Sequence, residues 1–118
     1  MKYKNDLSFL IDKTLSLYEH QSSYNPNMPL RGFLYYADLY RKLIHRSERL
    51  YSKHLLKIPR PHYIVLYNGN EKDMVEERRT LRLSDAFETD IGAGEYEWTA
   101  TMININSGKN KFILDSCH

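Results

Sequence analysis

Three residues near the start of the chain, Asp6, Glu19 and Gln21, have the types and spacing for metal-dependent chemistry. Residues 6–11 and 14–21 alternate in the manner of strands, and Asp12 and Lys13 between them suffice for a tight hairpin. With that turn, Phe9 faces Ser16, Leu7 faces Tyr18 and Asp6 faces Glu19. Directly opposed side chains have Cβ atoms about 5 Å apart, and two carboxylates placed so repel. A divalent cation relieves the repulsion, and hard oxygen ligands suit Mg²⁺ or Mn²⁺. Gln21, two positions past Glu19, shares its face, where an amide can hold a water or a phosphate oxygen. The alternative is a frayed strand end where both acids are hydrated, and one residue more or less in the turn removes the pairing.

Other chemistry-bearing residues form weaker patterns. His20, His45, His54, His62 and His118 lack the spacing of a zinc helix, and no serine stands in a nucleophile-elbow context. Asn68-Gly69-Asn70 reads as a strand exit, since no Lys-Ser/Thr follows it. Arg31, in a first helical turn, either pairs with a core acid or contacts a phosphate. Tyr96 and Trp98 read as cross-strand packing, with base stacking as the second option.

Residues 41–60 carry seven bases (Arg41, Lys42, Arg46, Arg49, Lys53, Lys57 and Arg60) against one acid, Glu48. Residues 71–97 are acidic, with nine acids against four bases. The basic block is either a phosphate-facing surface or a solvated helix end whose cations suit the dipole.

The elements that must hold these residues follow from periodicity and breakers. Residues 22–27 form a loop, Asn27 is placed to cap a helix, and Pro29 falls in its first turn. Leu30, Phe33, Leu34, Ala37, Tyr40, Leu43 and Ile44 repeat at helical spacing and predict one buried face, in a helix running to about Tyr51. Pro59 and Pro61 stop it. Residues 62–67 predict a central strand covered on both faces. A short strand is expected at 80–83, a capped turn at 84–87, a strand ending at 102–106, and a helix over 107–118. The order β-β-α-β-(β)-β-α predicts an α/β or α+β sandwich around a mixed sheet.

With 118 residues the chain has room for one domain, and its 42% hydrophobic and 27% charged residues fit a globular protein. The longest apolar run, Gly32 to Ala37, is far too short to span a membrane, so no membrane partner is expected. The single cysteine, Cys117, excludes a disulfide scaffold, and a reducing cytoplasm is the expected compartment. Ten tyrosines stand out, and those at 18, 36, 40, 63 and 67 read as packing.

Four ordered blocks carry a resemblance: residues 17–31 (LYEHQSSYNPNMPLR), 63–69 (YIVLYNG), 81–87 (LRLSDAF) and 102–110 (MININSGKN). Together they resemble the recombination-promoting nuclease and transposase family of the PD-(D/E)XK nuclease superfamily, over nearly the whole chain. The resemblance implies a restriction-endonuclease-like mixed sheet with flanking helices, and a metal-dependent DNA endonuclease. It implies Asp6 and Glu19 as ligands of Mg²⁺ or Mn²⁺, and Gln21 in the place of the usual lysine, orienting the attacking water. Arg31, Arg41, Lys42, Arg46 and Arg49 are then the expected DNA contacts. Only five residues precede Asp6, so the superfamily's leading core helix is expected to be missing and the chain to be a truncated member. Apolar surface uncovered in that way favours a homodimer. The alternative is an inactive remnant that binds nucleic acid or protein.

Overall fold

The computed structural model describes residues 6–7, 13–45, 49–70, 72–89 and 95–106, with backbone alone at 6–7. Strand β1 is Asp6–Leu7 and β2 is Thr14–Gln21. Along β2 the buried positions alternate, as Leu15, Leu17 and Glu19, which sets one face of the strand inward. Helix α1, Met28–Leu43, follows a short loop and has a proline in its first turn, where no N–H is needed. A short 3-10 turn, Arg49–Tyr51, precedes β3, Arg60–Tyr67. Every β3 residue from Tyr63 to Tyr67 is buried, as a strand covered on both faces requires. Strand β4, Arg78–Arg82, runs into a second 3-10 turn, Leu83–Ala86, and β5 is Thr99–Asn104.

The sheet order is β1-β2-β3-β5-β4. Strands β2, β3 and β5 are parallel, and β1 and β4 flank them antiparallel. Joining parallel β2 to β3 requires a crossover of a dozen or more residues, and α1 supplies it. The expected α/β class with a mixed sheet is observed. The helix expected over 107–118, and positions 8–11 of the first expected strand, lie outside the described residues.

The main core lies between α1 and one sheet face. Met28, Tyr35, Tyr36 and Leu39 of α1 meet Leu15, Leu17, Tyr63, Val65, Tyr67, Ala100 and Met102. Ile64, Leu66 and Ile103, with Tyr18 against them, form a separate cluster from the other face. Gly32 lets the helix sit close. A Cβ there would come within 2.5 Å of the Tyr63 ring and 3.2 Å of the Trp98 indole nitrogen.

Three expectations are corrected. First, the hairpin pairs Asp6 with Tyr18 and Leu7 with Leu17, so Asp6 does not face Glu19. This register is one residue off the one a two-residue Asp12-Lys13 loop would set, and a one-residue change shifts every partner. Lys13 at its end takes a positive φ of 58° and its carbonyl accepts from Arg60 N–H. Second, α1 ends at Leu43 rather than near Tyr51. Third, its buried face is not the one expected: Leu30, Phe33 and Leu34 are 43%, 44% and 46% exposed. The tyrosines go in because their hydroxyls find partners. Tyr36 donates to the carbonyl of Leu15 or of His62 and accepts from His62 N–H, joining the helix to β2 and β3 at once.

Candidate functional site

Glu19 and Asn104 are the buried polar residues of the described core. Asn104 donates from its amide to the Met74 carbonyl and accepts from Asn106 N–H, which makes it a loop fastener. Glu19 is different. It lies near the carboxyl end of β2, and its side chain is 9% exposed. Crevices outside the carboxyl ends of parallel strands are where open α/β sheets bind ligands. The first turn of α1 arrives at the same end and brings Arg31.

Three side chains converge on this carboxylate, and a fourth braces one of them. Tyr63, from the neighbouring strand β3, donates its hydroxyl to Oε1 at 3.0 Å. Gln21 donates from Nε2 to Oε2. Arg31 pairs with Oε2 through Nη2 at 2.8 Å. Tyr35, one helical turn past Arg31, accepts from Arg31 Nε at 3.1 Å and Nη2 at 2.8 Å, which fixes the guanidinium plane. The fourth side chain, Tyr35, thus acts on Glu19 through Arg31. A third contact, from Arg31 Nη1 to the Met28 sulfur at 3.6 Å, completes the clamp.

The electrostatics follow from this arrangement. Burial first, then the charge and hydrogen bond of Glu19, push the Tyr63 phenol far above its ordinary value. Tyr63 is therefore a donor and never an anion at physiological pH. Partial burial pulls the Arg31 guanidinium down, but the Tyr35 hydrogen bond and the Glu19 charge outweigh it and hold it above its usual value. Arg31 remains 36% exposed at its side chain, so one edge of the cluster is open to solvent.

Of the expected site residues, the structure brings together Glu19, Gln21 and Arg31. Asp6 sits on the adjacent strand at the register position of Tyr18, and its side chain lies outside the description. Arg41 and Lys42 are exposed in the last turn of α1, ten residues on from Arg31 and so about 15 Å along the axis. Arg49 is exposed in the following 3-10 turn, and Arg46 lies outside the described residues. Two members of the cluster, Tyr35 and Tyr63, went unnamed in the sequence reading as site residues. Tyr35 had a signal, since positions four apart on a helix meet. Tyr63 had none short of the β2–β3 register, which sets it opposite Leu17.

A hard cation finds some of what it needs here. No group of three or more His, Cys, Asp or Glu side chains able to hold a metal ion occurs among the described residues. Mg²⁺ needs fewer, because it keeps waters and binds through one or two carboxylates together with substrate phosphates. Glu19 is such a carboxylate, but Gln21 turns its Nε2 rather than its amide oxygen toward it, so the described residues present one carboxylate here and not a ligand set. Three of the roughly four lone-pair positions on Glu19 are already engaged.

Comparison with known proteins finds no matching family model, no matching curated protein and no matching solved structure. No helix among the described residues is long and apolar enough to cross a membrane.

Proposed function

We propose that the chain is a metal-dependent DNA endonuclease centred on Glu19. The observation that carries this reading is a buried carboxylate at the carboxyl end of a central strand, with an amide two positions on and an arginine beside it. The chain path adds support. An antiparallel pair, a crossover helix and a parallel strand make a mixed α/β sheet, compatible with this reading at the level of fold class.

On this reading Glu19 would hold the Mg²⁺ or Mn²⁺ ion, while the register that pairs Asp6 with Tyr18 does not set Asp6 opposite it. An ion held there would supply a water of lowered pKa and a charge to offset that developing on the phosphate. The chain's own residues do the rest. Tyr63 holds Oε1 of Glu19 and so fixes the carboxylate plane. Gln21 is neutral at every pH and cannot serve as a base, so its amide orients water. Arg31 offers a planar fork suited to phosphate oxygens.

A second reading is a nucleic-acid- or protein-binding module without hydrolysis. It is favoured by the Arg31–Glu19 ion pair, which already balances the charge, and by the offset of Asp6 from Glu19. Nicking of supercoiled plasmid in Mg²⁺ or Mn²⁺ separates the two. The nuclease reading expects cleavage that stops with chelator and drops at least a hundredfold in Glu19→Ala. Cleavage equal in wild type and Glu19→Ala would sink it.

A further inference from the structure

We propose that the sheet face turned away from α1 carries a phosphate-binding cleft, at the amino ends of β3 and β5, that takes the backbone of a nucleic-acid strand. The β3–β5 ladder starts at Ile64 and Thr101, and short of those residues the two strands leave a cleft of about 340 Å³. Arg60, His62, Thr99 and Thr101 line it, with Glu97 and Trp98 just before β5. Alternation along each strand fixes the face. Ile64 and Ile103 belong to the cluster on the side away from α1. Arg60 and His62 share that side with Ile64, and Thr99 and Thr101 share it with Ile103. Strand β4 adds to the same face, because Arg82 pairs with Thr99, Thr80 with Thr101 and Arg78 with Ile103.

The lining has the chemistry of an oxyanion site. The ion pairs among the described residues are Arg31–Glu19 and Arg79–Glu76, and Arg60, Arg78 and Arg82 enter neither. Arg60 Nη2 lies 3.5 Å from Thr14 Oγ1, which leaves most of its five N–H donors open among the described residues. Glu97 does not neutralise it, because that carboxylate already accepts from Ser84 N–H, Ser84 Oγ–H and Trp98 N–H. Partial burial first, then the charge of Arg60, hold the His62 imidazole below its ordinary value. An imidazole so placed lacks a counter-anion, which a phosphate supplies, and in its neutral form it still offers one N–H. Strand order β3-β5-β4 sets Arg60 and Arg82 two strand spacings apart, about 10 Å across the sheet. Arg78 lies four residues from Arg82, about 13 Å along β4. One phosphate does not meet all three cations, whereas successive phosphates of a strand do. The inference needs no metal at Glu19 and stands apart from the nuclease reading.

Titration with a short fluorescein-labelled oligothymidylate, in chelator and low salt, tests this apart from any metal-dependent cleavage. Binding is followed by anisotropy and by the emission of Trp98, the chain's single tryptophan and part of the cleft wall. Trp98 emission is expected to change on binding. Arg60→Gln and Arg82→Gln, both at exposed positions, are each expected to weaken binding about tenfold, the loss of one charge-assisted hydrogen bond. Together they are expected to lower the slope of log affinity against log salt by roughly 1.4. His62→Gln is expected to weaken binding in the same direction. Lys72→Gln removes a charge past the other end of β3 and is expected to stay close to wild type. Inorganic phosphate is expected to displace the oligonucleotide only at far higher concentration. Absence of binding overturns the inference. So does binding that leaves Trp98 emission unchanged, or that Lys72→Gln weakens as much as Arg60→Gln does. Inorganic phosphate that binds as tightly as the oligonucleotide overturns the strand as the ligand.

Discussion

At the scale of single residues, the carboxylate of Glu19 is stabilised by donors rather than by solvent. Removing the hydroxyl of Tyr63 tests how much. Tyr63→Phe keeps the ring packing against Tyr35 and Tyr36 and strips one donor from a buried charge. The expected loss is about 1–3 kcal/mol, read as a lowered urea midpoint with unchanged slope. The same residue sets an alkaline limit. Tyr36 and Tyr63 both have phenols raised above the ordinary value, in each case by burial first. An unfolded tyrosine titrates near pH 10. The folded form keeps its proton above that pH while the unfolded form loses it, so stability is fully present below about pH 10 and falls as pH rises toward the folded values. Urea midpoints measured from pH 8 to 11 should be flat and then decline. Tyrosinate absorbance from these two rings should appear only with unfolding. Of this site, the Glu19–Gln21 pairing was legible because a strand's two-residue period needs no tertiary information. The choice open for Arg31, acid or phosphate, resolves to the acid in this structure.

At the scale of elements, a glycine and a lysine make opposite predictions. Glycine within a helix interior ordinarily costs about 1 kcal/mol relative to alanine. Gly32 reverses that sign, because a methyl group there meets a buried aromatic ring at 2.5 Å, and overpacking costs about 1–3 kcal/mol. Gly32→Ala should therefore lower the thermal midpoint despite better helix propensity. Lys13 is the converse. Its φ of 58° suits glycine, so Lys13→Gly should raise stability by about 1 kcal/mol in a urea titration. An unchanged or lower midpoint would show that Lys13 carries no backbone strain to relieve. The bounds of β2, the continuous burial of β3 and the start of α1 at Met28 were all readable from sequence. The inward face of α1 was not. Helical periodicity counts apolar side chains, and here a second face, Met28, Tyr35, Tyr36 and Leu39, competes with that of Leu30, Phe33 and Leu34. What decides is the set of carbonyls on β2 and β3 that Tyr36 can reach, which no helical pattern encodes.

At the scale of the whole molecule, two charged regions lie apart. Glu19 and Arg31 stand at one end of α1, and Arg41 and Lys42 stand at the other, about 15 Å away along the axis. On the nuclease reading, a duplex touching both ends covers about five base pairs at 3.4 Å each. Arg41→Glu with Lys42→Glu is then expected to weaken DNA binding and to lower the slope of log affinity against log salt by about two. Plasmid nicking per bound molecule should be spared. An unchanged salt slope would assign the basic block to solvation alone.

The parallel pairing of β2 with β3 has a consequence in time. Thr14 and Arg60, partners at its start, are 46 residues apart in the chain. The other parallel neighbour of β3, strand β5, comes still later, at Thr99–Asn104. Contacts this non-local put folding at the slow end for a small domain, in milliseconds to seconds rather than microseconds. On the ribosome, β3 is complete before β5 exists, so its most apolar strand waits with one edge unpaired. Newly made chain in that interval is a natural client for a holding chaperone, and the yield of folded protein should rise when synthesis is slowed or the temperature lowered.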